Sequence, residues 1–268
     1  MPAFQNLMQV FTLLDKSNCR QCNEKTCMAF AAAVFSGRRP LSDCPRVPPE
    51  IASRADRQSH TQASPPDEVE QQLADLRARL VTVDMADAAR RTGAERRGNR
   101  LIVKIMGKDF AVDANGKIYT DIHANPWVTI PVLNYILHCK GAPVQDQWVP
   151  LRELPSGGDW YRLFGQRCEK PMKKIADVYP ELFSDLVDIF NGQPVGGQFQ
   201  ADVALVLRPL PRIPLLICYW QAEDGMESNL NLFFDASAEA NLGISGIYAL
   251  GTGITRMFEK LAQRHGIG

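Results

Sequence analysis

Four cysteines near one end of a 268-residue chain are the residues best placed to do chemistry: Cys19, Cys22, Cys27 and Cys44. Their spacing is C-x2-C-x4-C-x16-C, and Pro45 follows the last. Thiolates in such a pattern hold metal. A single zinc ion takes four tetrahedral sulfurs, usually as two close pairs. Here three thiols sit together and the fourth returns from afar ahead of a proline, which is the logic of a cubane iron–sulfur site. The spacing favours iron–sulfur, with zinc and a disulfide pair as the competing readings.

Other candidate chemistry is thinner. Cys139, Cys168 and Cys218 are scattered among apolar residues and read as buried thiols. His60, His123, His138 and His265 are dispersed and form no HExxH or similar metal-binding set. Gly251-Thr252-Gly253 lacks the lysine of a phosphate loop and reads as a close-packing turn before the last helix. Ser156-Gly157-Gly158-Asp159 reads as a turn whose Asp159 caps the next helix. Asp202, Glu223, Asp224 and Asp235 lie near strand ends, with exposed loop carboxylates the default reading. Arg208, Arg212, Trp160 and Trp220 are weighed as a ligand surface against a structural role, and the structural role is favoured. No catalytic residue is assigned.

The thiols need elements to position them. The run TCMAFAAAVFSG predicts a helix starting at the third cysteine, capped by Thr26 and ended by Gly37. Its first amides are expected to point at a negatively charged cluster. Met28, Phe30, Val34 and Phe35 are expected to cover it, and Arg20, Lys25, Arg38 and Arg39 surround the motif as neutralising, partner-guiding or simply solvated charges.

The chain divides into residues 1–50 with the cysteines, a polar linker over 51–66 ending in two prolines, and a domain over 67–268. Asp67 with Glu70 forms a capping box for a helix whose stripe is Val69, Leu73, Leu76 and Leu80. RLIVKIMG, KDFAVDA and NGKIYT predict strands, the last behind an Asn-Gly turn. WVTIPVLNYILHC predicts a helix with Pro131 in its first turns and Gly141 just past its end. One or two helices follow, with a break at Pro171 or Pro180. DVALVLRPLPRIPLLICYWQ and NLNLFFDAS predict three strands, and YALGTGITRMFEKLAQRHG a last helix. Helices and strands mix without a regular repeat, so the expected class is α+β: a small helical cysteine-bearing module followed by a larger mixed domain.

Composition bounds the function. Lys plus Arg and Asp plus Glu number 30 each, so no net field draws nucleic acid or an acidic membrane, and the Arg90, Arg91, Arg96, Arg97, Arg100 cluster reads as solvated. Hydrophobic residues at 45 % allow a sizeable core. No apolar run suits a membrane helix and the first residues lack a signal-peptide pattern, so the expected location is cytoplasmic, where clustered thiols stay reduced.

The segment LMQVFTLLDKSNCRQCNEKTCMAFAAAVFSGRRPLSDCP resembles the four-iron–four-sulfur domain of the corrinoid iron–sulfur protein large subunit, and a related module in the B subunit of the Rnf complex. The shared features are the cysteine spacing, Asn18, the run Thr26 to Ala31, Gly37 and Cys44-Pro45. The resemblance implies that all four cysteines ligate one [4Fe–4S] cluster carrying single electrons. Corrinoid binding is not implied, because the chain is too short for the barrel that holds it. The remainder resembles DUF3786, a family with no established activity, through VLNYILHCKGAPVQDQWVPLRELPSGGDWY, DVALVLRPLPRIPLLICYWQ and LFFDASAEANL. The expected function is electron transfer to a redox partner protein rather than catalysis. A cluster-dependent sensor or scaffold, and a redox enzyme with its active site in the larger domain, are the alternatives.

Overall fold

In the computed structural model, residues 7–35, 39–53, 65–122, 124–179, 181–197 and 199–265 are described. Gly37, Arg38, His60, His123, Pro180, most of the expected linker and the Asp67 side chain lie outside the described residues. The chain forms two compact units, Met1–Gln72 and Leu73–Gly268, and the architecture is α+β, with helical elements in the first unit and two sheets with helices in the second.

The first unit is built from α1 (Leu7–Thr12) and α2 (Cys27–Phe35), which pack together. A 3-10 turn, Leu41–Asp43, delivers Cys44, and residues 49–53 are helical. Val10, Leu14, Phe30, Ala31, Val34, Leu41, Val47 and Ala52 form the core, together with three of the four clustered cysteines. Phe30 and Val34 are buried as expected, whereas Met28 and Phe35 are exposed. Within α2 the i, i+3, i+4 positions Cys27, Phe30, Ala31 and Val34 face inward, which turns Met28 and Phe35 outward.

The helix α3 (Pro65–Leu80) begins at the two prolines, which the first turn tolerates. Its Leu76 and Leu80 are buried in the main core, as the stripe implied. After α4 (Met85–Thr92), which the sequence reading missed, β1 (Glu95–Arg97), β2 (Arg100–Ile105), β3 (Lys108–Asp113) and β4 (Ile118–Thr120) form an antiparallel sheet in sequence order. Leu101 pairs with Val112 and Val103 with Phe110, and all four are fully buried on one face. Strand alternation sets that face.

The helix α5 (Pro126–His138) starts where Asn125 Oδ1 accepts the Trp127 N–H at 3.0 Å. Next come β5 (Trp148–Pro150), α6 (Tyr161–Phe164), a π segment Gly165–Glu169, α7 (Lys170–Val178) and α8 (Leu182–Phe190). Of the two expected break points, Pro171 does not interrupt the helices; the break falls between Val178 and Leu182, the interval that holds Pro180. Proline lacks an N–H and crowds the carbonyl four residues back. The π segment widens the turn there, with the Lys170 N–H donating to Gly165 O. Nor does Asp159 cap α6: it lies in the 3-10 turn Gly157–Asp159, and Trp160 occupies the cap position.

A second antiparallel sheet has the order β5–β9–β8–β7–β6, from β6 (Gln193–Pro194), β7 (Val203–Leu210), β8 (Ile213–Trp220) and β9 (Asn229–Asp235). Central β8 is buried on both faces: Leu215 and Ile217 join the main core, while Leu216 and Cys218 face a smaller cluster with Trp148, Phe199 and Phe233. The chain ends with α9 (Ala238–Leu242) and α10 (Ile244–Arg264). Gly251 and Gly253 lie inside α10, not in a turn before it. A Cβ on Gly251 would meet the Phe164 ring at 2.6 Å, and one on Gly253 would meet Trp127 O at 3.1 Å. Trp127 O is the carbonyl that Pro131, with no N–H, leaves without its usual helical donor.

Candidate iron–sulfur site

The first unit brings three of the four predicted thiols into one small core. Cys22, Cys27 and Cys44 are buried in the same cluster of side chains, and Cys19 is half-buried. Cys44 therefore turns inward with the others, and all seven cysteines are free thiols. Cys139, Cys168 and Cys218 are buried in the second unit, with burial pushing Cys168 and Cys218 up to about 11.

Local backbone explains how two cysteines fit into so short a loop. Lys16, Asn18, Arg20 and Asn23 all adopt left-handed conformations, with φ of 62°, 51°, 61° and 60°. Such residues are costly for a side chain other than glycine or asparagine and concentrate where a site over-determines the chain. Left-handed residues alternating with others belong to the backbone geometry from which anion-holding concavities are made.

Asn18 ties this loop to α2. Its side-chain oxygen accepts the Cys27 N–H at 2.7 Å, and its own N–H donates to Cys27 Sγ at 3.3 Å. Thr26 caps the helix as predicted, its hydroxyl accepting the Ala29 N–H at 3.1 Å, while the Phe30 N–H donates to Thr26 O. The Cys27, Ala29 and Phe30 amides at the start of α2 thus each have an acceptor within the protein. The amide donor to sulfur comes from the loop, a partner that sequence reading missed.

Cys19 sits in a cationic, donor-rich corner. The Gln21 backbone N–H, then the Ser17 hydroxyl and the Arg46 guanidinium, hold its thiol below the ordinary range despite partial burial. Donors of this kind favour the thiolate, the form that binds metal. Arg46 also pairs with Asp15 at 3.0 Å, and Asp15 accepts from the Ser17 N–H and hydroxyl. Arg39 bonds the Cys22 carbonyl and pairs with Asp43 at 2.7 Å. The chemistry of these residues suits an iron–sulfur group: four soft sulfur donors, three of them in one apolar core, and a backbone N–H on the Cys27 sulfur. Among the described residues, no three Cys, His, Asp or Glu side chains gather closely enough to hold one metal ion.

The remaining predicted residues fall elsewhere. His138 contacts Arg79, and His265 stacks near Tyr179 beside Asp185. Asp235 is fully buried rather than exposed, accepting the Gln145 and Ser237 N–H groups. Asp202 accepts the Gln221 N–H. Arg212 donates to the Arg91 and Arg90 carbonyls, and Trp160 packs on Tyr248, both structural roles. A depression of about 400 Å³ is lined by Arg77, Asn115, Gly116, Lys117 and Ile118. Among the described residues, no helix is long and apolar enough to cross a membrane.

Two family models match. "Domain of unknown function (DUF3786)" covers residues 84–257, and "Putative Fe-S cluster" covers residues 14–46. The acetyl-CoA decarbonylase/synthase complex subunit gamma of Methanothermobacter thermautotrophicus is 48 % identical over 40 residues, 15 % of this chain and 9 % of that protein. The chain thus spans under a tenth of the length of the curated relative it matches. No solved structure matches.

Proposed function

The chain belongs to the DUF3786 family and carries an iron–sulfur segment at its N-terminus, and on that premise we propose that it holds one [4Fe–4S] cluster and passes single electrons to a partner protein. Cys19, Cys22, Cys27 and Cys44 are the ligands in this reading. The observation that carries it is the burial of Cys22, Cys27 and Cys44 in one core, with a backbone N–H already on the Cys27 sulfur.

A bound cluster supplies reversible one-electron exchange without a substrate pocket. The residues of the chain do the rest. The apolar core keeps water from three of the sulfurs, and the half-buried Cys19 gives the electron its shortest way to the surface. Exposed Lys16, Arg20 and Lys25 on the same loop suit a partner with an acidic face. Residues 1–50 form the cluster module, 51–66 the linker, and 67–268 the domain that engages the partner, in the cytoplasm. That the M. thermautotrophicus relative is named as a subunit of a complex supports a protein partner.

The test is anaerobic purification with iron and sulfide analysis, followed by EPR of the dithionite-reduced protein. About four irons and four sulfides per chain with a spin-one-half signal are expected. Stoichiometric zinc without sulfide would overturn the proposal.

A further inference from the structure

The ligand nearest the C-terminus has to be held against a loop that lies far from it in sequence, and two arginines link the segments on either side of this gap. Arg39 bonds the Cys22 carbonyl and pairs with Asp43, the residue before Cys44. Arg46, two residues beyond Cys44, pairs with Asp15, four residues before Cys19. Asp15 in turn accepts from both the N–H and the hydroxyl of Ser17. One clamp therefore joins the Cys44 segment to Cys22, and the other joins it to the entry of the Cys19 turn.

Both pairs are partly exposed, with side-chain accessibilities of 29 % and 34 % for Arg39 and Asp43, and 46 % and 28 % for Arg46 and Asp15. Exposed ion pairs stabilise a fold little. What these two share is placement: each fastens a flank of Cys44 to the loop bearing the other thiols. Guanidinium suits the task, because its planar fork can bond two acceptors at once where an ammonium offers a point charge. Arg39 uses both arms in this way, one on a carbonyl and one on a carboxylate.

We infer that Arg39 and Arg46 are positioning residues that assemble the four-thiol set before any cluster arrives, Arg39 by locking Cys44 to Cys22 and Arg46 by locking it to the Cys19 turn. The inference rests on the proposed function for its cluster-bound consequences, but the clamps themselves belong to the metal-free chain. The two arginines also differ. Arg46 is held through Asp15 at the entry of the Cys19 turn, where its charge acts on the Cys19 thiol, whereas Arg39 bonds the Cys22 backbone oxygen. Removing a cation from beside a ligand sulfur disfavours the more negative, reduced state, so the loss of Arg46 moves the potential negative and the loss of Arg39 moves it less.

The experiment uses the full chain reconstituted anaerobically with iron and sulfide, then challenged with excess ferrous chelator. R39Q and R46Q are each expected to release iron about 10-fold faster or more than wild type. D15N and D43N shift it the same way, R39K recovers only part of the retention, and R96Q in the second unit behaves as wild type. Redox titration is expected to place R46Q below both wild type and R39Q. Release rates matching wild type in R39Q and R46Q would overturn the inference, and an unchanged potential in R46Q would remove Arg46 from it. If wild type itself takes up no iron and sulfide, the proposed function fails instead. The clamps are then judged by amide hydrogen exchange of the apo chain, where R39Q and R46Q are expected to speed exchange across residues 15–23, and unchanged exchange would overturn them.

Discussion

Asn18 and Cys27 hold each other by two opposed hydrogen bonds: the Asn18 side chain accepts the Cys27 N–H at 2.7 Å, and the Asn18 N–H donates to the Cys27 sulfur at 3.3 Å. One residue thus fixes the backbone of the third cysteine and supplies a donor to its thiolate. It does so from a left-handed conformation that asparagine tolerates better than most residues.

Asn18→Ala loses the side-chain acceptor and strains the backbone, leaving the Cys27 N–H without its partner. An unsatisfied donor of this kind costs about 1–3 kcal/mol. Iron content and the EPR signal should fall together in Asn18→Ala. Asn18→Gly, which relieves the strain but not the lost acceptor, should recover only part, and Asn18→Asp more. Full loading of Asn18→Ala would show the pair to be incidental.

Serine substitution separates the two groups of cysteines. Replacing Cys19, Cys22, Cys27 or Cys44 is expected to remove most of the iron and the visible absorption. Replacing Cys139, Cys168 or Cys218 should leave iron content at the wild-type level, because these side chains are buried in the other unit. Iron analysis of the seven variants decides between the groups.

Buried thiols give the larger unit a pH dependence in the alkaline range. Cys168 and Cys218 are pushed from an ordinary value of 9.0 to about 11 by burial. A folded value above the unfolded one means that the stabilisation is complete below pH 9 and is lost as pH rises toward about 11. Tyr179 and Tyr219, raised to about 12, extend the same trend. Denaturant midpoints should therefore fall across this window, and Cys168→Ala with Cys218→Ala should flatten the slope. A flat wild-type profile would contradict the burial of these thiols.

Gly251→Ala places a methyl group within 2.6 Å of the Phe164 ring. Overpacking of this kind typically costs about 1–3 kcal/mol. Chemical denaturation is expected to show that loss, and a second change, Phe164→Leu, should return part of it. Stability equal to wild type in the single variant would mean that the two helices have room to separate.

The elements legible in the sequence are those whose side chains repeat the element's own period. Leu101 and Val103 alternate opposite Val112 and Phe110, so β2 and β3 could be read directly. The apolar run from Trp127 to Cys139 with Gly141 beyond it announced α5, and Thr26 announced α2. In β1 the residues are Glu95, Arg96 and Arg97, all exposed; pairing with β2, not burial, makes them a strand. The π segment before Pro171 depends on how a neighbouring turn widens, which no local pattern encodes. At the candidate site, spacing singled out four thiols, three of which the structure gathers in one core. The Asn18 bonds and the two arginine clamps were not legible, because they join residues whose types are common on any small polar surface.

Three thiols shut inside the small core and one at its rim make an unequal set. A metal-free chain left in air exposes only position 19 of that set to another molecule. The expected artefact of careless preparation is therefore a covalent dimer bridged at Cys19, and a reductant in the buffer is the remedy.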